Sequence, residues 1–165
     1  MAFKLRHSPC SRSNSQGRGG TEADMTGIRA LLEAEGLPTN DLSNFDLQFL
    51  VVCDESDKIT AAGGLQWCGK KTALLRSVVV APDARGTGLG QRLLKALVCA
   101  ARAGEAAQLV LLTLTAVSFF ERQGYRVTDR RSVPDDVQAT AEFKSLCPAS
   151  AICIAKAVVG SEVEI

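Results

Sequence analysis

Residues 74–104 read LLRSVVVAPDARGTGLGQRLLKALVCAARAG, and the rest of the chain is interpreted around this segment. Its first part, 74–80, is apolar and rich in β-branched residues and is followed by Pro82, which predicts a strand. Its last part predicts a helix over 88–103 that ends at Gly104, because apolar residues recur on one helix face. That face consists of Leu89, Leu93, Leu94, Leu97 and Val98.

The segment between the strand and the helix is rich in glycine and reads Arg85-Gly86-Thr87-Gly88-Leu89-Gly90. Glycines just ahead of a helix leave its first amides uncovered, so those N–H groups and the positive end of the helix dipole can receive an anion. A P-loop would continue with Lys-Ser or Lys-Thr, and a dinucleotide fingerprint would place a third glycine at position 91, but the chain continues with Gln91-Arg92. The segment therefore predicts either a phosphate site of another kind or a tight turn that binds nothing.

The pattern Arg85-x-x-Gly88-x-Gly90, after a strand that ends in Val-x-Pro, resembles the pyrophosphate loop of the GNAT acyltransferases. The run Thr113–Tyr125, TLTAVSFFERQGY, resembles the second diagnostic segment of the same superfamily. The resemblance implies the acyl-CoA N-acyltransferase fold, an α/β (α+β) domain on a mixed, mostly antiparallel sheet. Two parallel central strands would splay apart between flanking helices, with acetyl-CoA as cosubstrate in the gap.

Two narrower resemblances suggest different acceptors. The chain resembles the bacterial GNAT proteins encoded with arsenic-resistance genes at Leu75-Arg76-Ser77, at Leu112-Thr113 with Phe119-Phe120, and over 143–151, FKSLCPASA. The strand end at 112–113 also resembles that of the N-acetylglutamate synthases. We therefore expect an N-acetyltransferase that acts on the amine of a small molecule in arsenic detoxification. A glutamate-type amino acid is the alternative acceptor. A catalytically weak acyl-CoA-binding module is the alternative of another class.

The resemblance also implies which residues form the site. The cofactor would contact the backbone of the strand end, the glycine loop and an aromatic pair: Val78, Val79, Val80, Arg85, Gly86, Thr87, Gly88, Leu89, Gly90, Phe119 and Phe120. The acceptor would contact Arg76, Ser77, Thr115 and Cys147, although Arg76 could instead form a buried ion pair and Cys147 could be a structural cysteine. No general base is identified, and Ser77 and Thr113 are the candidates for polar catalytic contacts.

One family feature is missing from the sequence. Many relatives place a tyrosine on the helix after the second parallel strand, as the acid for the leaving thiol, and this chain has Phe120 there. Tyr125 is the only tyrosine, and we interpret it as a core aromatic residue with its hydroxyl at the edge of the core.

The length of the chain and the rest of its pattern fit a single domain. The remaining elements are a helix that starts near Thr21 and Asp24 and ends by Gly36, strands over 47–53, 59–67, 109–114 and 151–158, a helix over 116–123, a short strand over 125–127 and a helix over 134–143. The usual first strand is hard to find, since residues 16–20 have no strand character.

Composition limits the partners. The chain has 165 residues and net charge +1, but residues 1–20 carry Lys4, Arg6, Arg12 and Arg18 without an acid, so the remainder carries −3. A slightly acidic domain argues against nucleic acid as a partner. We expect a disordered basic tail over 1–20, a domain over 21–160 and a cytoplasmic monomer or homodimer with no membrane segment.

The sequence also lacks a pattern of side chains that would bind a metal ion. The single histidine, His7, lies in the predicted tail. The six cysteines form no Cys-x-x-Cys pair, so neither a zinc site nor a disulfide is predicted.

Overall fold

The computed structural model describes residues 18–19, 24–37, 39, 42, 47–56, 58–141, 143–144 and 150–158. Its elements in chain order are β1 (Arg18–Gly19), α1 (Met25–Ala34), β2 (Leu47–Cys53), β3 (Ile59–Cys68), β4 (Thr72–Val80), α2 (Leu89–Ala103), β5 (Gln108–Thr113), α3 (Val117–Arg122), β6 (Arg126–Val127), α4 (Asp135–Gln138) and β7 (Ile152–Ala157). Short 3₁₀ turns cover Pro82–Ala84 and Arg130–Ser132.

The strands of the described residues form one sheet in the order β1-β2-β3-β4-β5-β7-β6. Strands β4 and β5 are parallel and are joined by α2, whereas the other neighbouring pairs are antiparallel. A parallel pair needs such a crossover, because its two strands start at the same edge of the sheet. The predicted fold class, a mixed and mostly antiparallel sheet with two parallel central strands, is confirmed.

Helices cover both faces of the sheet. The predicted apolar face of α2 is buried, and it packs on Leu65, Ala73 and Leu75. On the opposite face, α1 packs Ile28 and Leu32 against alternate residues of β2. Because strand residues alternate between faces, β4 contributes to both cores.

Close contact between α2 and the sheet depends on Gly63 in β3. A Cβ atom added there would lie 2.7 Å from Cδ1 of Leu97, which is fully buried. The glycine that interrupts this strand in the sequence therefore allows the helix to approach the sheet.

Two predicted segments differ in the structure. The expectation that residues 16–20 contain no strand is wrong, since Arg18 and Gly19 pair with Val51 and Leu50 at the edge of the sheet. Such pairing uses backbone groups alone, so it needs no apolar pattern. The helix predicted over 134–143 is interrupted, because α4 ends at Gln138 and a turn follows before the described residues 141, 143 and 144, which are again helical.

The end of α4 has a local cause. The Thr140 hydroxyl donates to the Val137 carbonyl at 2.6 Å, and the Gln138 side chain donates to the Val133 carbonyl at 2.8 Å. Side chains that bond to nearby carbonyls compete with the regular helical ladder.

The expectation of six reduced cysteines is wrong at Cys99 in α2, which is disulfide-bonded. Disulfide pairing depends on proximity in the fold, which cysteine spacing alone does not reveal.

Within the described residues, no helix is long and apolar enough to cross a membrane. Of the tail predicted over 1–20, residues 1–17 and 20 lie outside the described residues, as does the candidate residue Cys147.

Candidate active site

The parallel strands separate at the centre of the sheet. They are paired only where Thr72–Leu74 lies beside Gln108–Val110. Beyond these pairs β4 continues to Val80 and β5 to Thr113, and both strands lie within the described residues. Backbone N–H and C=O groups on the facing edges therefore point into a gap, where an extended ligand can bond to them.

A β-bulge reorients β4 beside this gap. Ala62 pairs with Val79 and Gly64 pairs with Arg76, so Ser77 and Val78 together face the single residue Gly63. Ser77 has φ +56°, which is uncommon for a residue other than glycine. Ser77 and Val78 thus form a bulge in β4 beside the gap.

Beyond the bulge, the valine side chains turn away from the gap. Val78 and Val80 pack against the core under α2, and Val79 packs in the core under α1. These three residues can therefore offer only their backbone to a ligand in the gap.

The glycine loop lies at the end of β4. Gly86 and Gly88 have φ +79° and +80°, and a Cβ atom added at either would meet no atom within 4 Å. Gly88 is the N-cap residue of α2, has no side chain to cap the helix, and the first turn contains no acidic residue. The first amides of α2 therefore face open space, which fits an anionic group such as a pyrophosphate.

A cavity of about 390 Å³ lies against this loop. Its lining consists of Val80, Ala84, Arg85, Gly86, Gly88, Leu89, Gly90, Gln91 and Phe119. The structure thus brings together most of the predicted cofactor contacts and adds Ala84 and Gln91. Both added residues flank the glycine segment, but their side chains carry no signal in the sequence.

The other predicted cofactor residues do not line this cavity. Val78 and Val79 lie at the gap, as described above. Thr87 donates from its hydroxyl to the Ala84 carbonyl at 2.7 Å and so closes the turn. Phe120 is buried behind Phe119, with the two ring centres 5.1 Å apart in an edge-to-face arrangement.

Arg76 lies on the α1 face of β4, next to the bulge. It pairs with Gly64, and a Cβ atom at Gly64 would contact the side chains that lie under α1. The guanidinium of Arg76 donates to Oε1 of Gln66 and to Oγ of Ser77, both at 3.3 Å. Arg76 and Gln66 are buried, so this is a polar cluster inside the sheet. Gln66 was missed, although a glutamine in an apolar strand is a visible signal.

The other predicted polar residues have different surroundings. The hydroxyl of Thr113 accepts from the Ala116 amide at 3.0 Å and shapes the turn before α3. Thr115 is exposed just beyond β5. The gap-facing ends of β4 and β5, 75–80 and 111–113, contain neither a carboxylate nor a histidine.

Tyr125 is more enclosed than expected. Its hydroxyl is buried and has no hydrogen-bond partner in the described part of the chain. The ring packs edge to face on Phe120 with centres 5.3 Å apart. Burial raises the pKa of this phenol well above its ordinary value, so the hydroxyl stays protonated at physiological pH. The predicted core role fits, but the hydroxyl is not at the edge of the core.

A second cavity of about 580 Å³ lies at the start of β7, where Ile152 pairs with Thr113 at the end of β5. Its lining consists of Thr128, Asp129, Arg130, Arg131, Phe143, Lys144, Ala151, Ile152 and Cys153. Burial raises the pKa of Cys153 to about 11, so the thiol is protonated at neutral pH.

Among the described residues, no group of three or more histidine, cysteine or acidic side chains could hold a metal ion.

Comparison with known proteins identifies the family of the domain that contains this site. Residues 46–127 match the model of the acetyltransferase (GNAT) domain. None of the curated proteins compared with the chain matches it in sequence.

Solved structures share the fold at low identity. Rv2747 from Mycobacterium tuberculosis, in complex with CoA and NLQ, superposes with a TM-score of 0.72 at 20% identity over 86% of this chain and 98% of that one. N-acetylglutamate synthase from Neisseria gonorrhoeae, complexed with coenzyme A and N-acetyl-glutamate, gives 0.72 at 18% identity over 86% of this chain and only 34% of that one. An aminoglycoside 6′-N-acetyltransferase complexed with coenzyme A gives 0.65 at 15% identity over 85% and 93%.

The splayed strands, the bulge and the glycine loop all lie within the matched range, which ends at the last residue of β6. At these sequence identities, structural similarity shows the shared fold alone. The match to the family model indicates the chemistry of the domain. Residues 46–127 are thus a GNAT acetyltransferase domain, and the protein is an acyltransferase enzyme.

Proposed function

We propose that the protein transfers an acetyl group from acetyl-CoA to the amine of a small molecule. The observation that carries this proposal is the continuous path from the glycine loop to the bulged edge of β4. The loop offers uncovered amides at the start of α2, and the gap begins where the pairing of β4 with β5 stops at Leu74. A phosphate-bearing thioester that followed this path would bring its carbonyl beside Ser77 and Val78.

In this proposal the chain acts mainly by positioning. The amides at the start of α2 bind the pyrophosphate, and the backbone of Val78 to Val80 orients the thioester and its developing oxyanion. Without a carboxylate or histidine in the facing strand ends, proton removal from the amine would pass through water. Losing a general base costs about 10²–10⁴ in rate, whereas orientation alone can supply effective molarities of about 10⁵–10⁸ M.

Among acceptors, we favour an amine that also carries an anionic group. The cluster of buried Arg76 and Gln66 with half-buried Ser77 lies at the bulge, on the sheet face opposite the valines that pack under α2. A guanidinium matches the geometry of carboxylates and related oxyanions. The fold likeness to N-acetylglutamate synthase and the sequence resemblance to arsenic-associated GNAT proteins suggest glutamate-like amino acids and aminated organoarsenicals.

The proposal is tested by following thiol release from acetyl-CoA with a panel of acceptors. The panel should contain glutamate, aspartate, glutamine, an aminated organoarsenical, an aminoglycoside and a peptide N-terminus. Release above the background hydrolysis rate with at least one acceptor supports acetyl transfer. Binding of acetyl-CoA without release across the panel would favour the alternative of an acyl-CoA-binding module, which the missing base and the phenylalanine at position 120 permit.

Arg76→Lys separates acceptor recognition from folding. The lysine keeps the charge but loses the planar fork, so recognition predicts a higher acceptor KM with unchanged acetyl-CoA affinity. Loss of one charge-assisted hydrogen bond, about 1.5–3 kcal/mol, corresponds to about ten- to a hundredfold in kcat/KM. A lower Tm with an unchanged acceptor KM would instead assign Arg76 to the stability of the core.

A further inference from the structure

Arg85 in the glycine loop is held from two sides. Its Nε donates to the carbonyl of Val80 at 3.2 Å, and its Nη2 lies 2.8 Å from Oε2 of Glu35. Val80 is the last residue of β4, and Glu35 caps the C-terminus of α1. The guanidinium therefore links the loop to the end of the central strand and to a helix on the other face of the sheet.

Glu35 is the more fixed member of this ion pair. Its amide donates to the Leu32 carbonyl at 3.1 Å, and Gly36 follows with φ +72°, so the backbone at this helix end is defined. The side chain of Glu35 is 24% exposed, whereas that of Arg85 is 53% exposed. The carboxylate therefore orients the guanidinium rather than the reverse.

We propose that Glu35 is a positioning residue for the cofactor loop. By holding Arg85 at the rim of the 390 Å³ cavity, it keeps the guanidinium and the turn at 81–88 in place for the phosphate groups of coenzyme A. This inference rests on the proposed function, in which that cavity receives the cofactor. Glu35 lies outside the glycine segment, so the sequence pattern does not indicate its role. The role is inferred from its contact with Arg85 in the structure.

Two opposing effects decide the sign of the expected change. A carboxylate near a phosphate site repels the cofactor, but the guanidinium of Arg85 lies 2.8 Å from the Glu35 carboxylate and offsets its charge. Holding a long, flexible arginine in one orientation favours binding, since an immobilised side chain loses less entropy when the ligand arrives. Exposed ion pairs contribute up to about fivefold in an equilibrium constant, so we expect a modest net loss when Glu35 is changed.

The experiment measures Kd by calorimetry at physiological ionic strength for CoA and for pantetheine, which has no phosphate. Glu35→Gln should weaken CoA binding about three- to fivefold and leave pantetheine binding unchanged. Glu33→Gln is the matched control, because it removes the same charge from the same end of α1, and Glu33 accepts from Thr39 rather than pairing with Arg85. In an Arg85→Gln background, Glu35→Gln should have no further weakening effect.

Enzyme kinetics provide a second readout. Glu35→Gln should raise the KM for acetyl-CoA and leave kcat at saturating acetyl-CoA unchanged, as expected for a residue that only positions the loop. Equal or tighter CoA binding by Glu35→Gln would overturn the inference. Equal weakening in the Arg85→Gln background would also overturn it, because Glu35 would then act without Arg85. If the wild-type protein does not bind CoA, the proposed function itself fails, before any variant is compared.

Discussion

Gly88 provides the most direct test of the cofactor site, because its backbone and its surroundings predict two separable effects of Gly88→Glu. The first effect is on stability. Gly88 has φ +80°, and an L-residue in this region costs about 1–2 kcal/mol. For a protein of this size, each 1 kcal/mol lowers Tm by about 2–4 °C, so the variant should melt a few degrees lower and remain folded.

The second effect of Gly88→Glu is on binding. No atom lies within 4 Å of a Cβ at Gly88, so the new side chain would extend into the cavity where we place the pyrophosphate. Two like charges about 4 Å apart near a protein surface repel by about 4 kcal/mol, which corresponds to about 10³-fold in Kd. We therefore expect calorimetry to detect little or no CoA binding.

Gly124→Glu is the matched control for this experiment. Gly124 has φ +92°, a Cβ atom added there would make only an ordinary contact with Lys156 at 3.5 Å, and the residue does not line the cavity. The control should show a similar fall in Tm and near-wild-type CoA affinity. If Gly88→Glu binds CoA as tightly as Gly124→Glu does, the assignment of the cavity to coenzyme A is wrong.

Three further predictions concern the stability of the fold. Tyr125→Phe should keep kcat and raise the free energy of unfolding in urea by up to about 1 kcal/mol, because it removes a buried hydroxyl without a partner; a large fall in kcat would instead indicate a catalytic hydroxyl. Gly63→Ala should lower that free energy by about 1–3 kcal/mol, since its Cβ would crowd Leu97, and an unchanged value would show that α2 can shift freely. Deleting 1–20 should lower Tm more than deleting 1–17, because only the longer deletion removes β1, and equal Tm values would show that β1 contributes nothing.

Local signals predicted the centre of the fold well. The buried face of α2 follows from 3.6-residue periodicity, and β4 follows from a β-branched run before a proline, because both patterns are set by neighbours in sequence. The glycine loop was likewise predictable, since a residue that must adopt positive φ is usually glycine. Gly86 and Gly88 both meet this condition.

The sequence did not predict features that depend on contacts between residues distant in the chain. Strand β1 pairs through its backbone at a sheet edge, and the disulfide at Cys99 joins positions that spacing does not relate. The Glu35–Arg85 ion pair joins the C-terminal end of α1 to the glycine loop that follows β4. Such contacts form between residues that are distant in sequence and close in the fold. Hydrophobic periodicity in a single sequence does not indicate which distant residues meet.

In the proposed function, the bulge at Ser77 and Val78 would let one strand contact both the acceptor and the cofactor. Before the bulge, Arg76 points to the α1 face, and after it Val80 packs under α2 beside the glycine loop. Four residues of strand separate these positions by about 13 Å, which is beyond the distance at which substitutions usually couple. Acceptor recognition and cofactor binding can therefore vary independently along β4. The reacting atoms would meet at the bulge, where the backbone alone faces the gap.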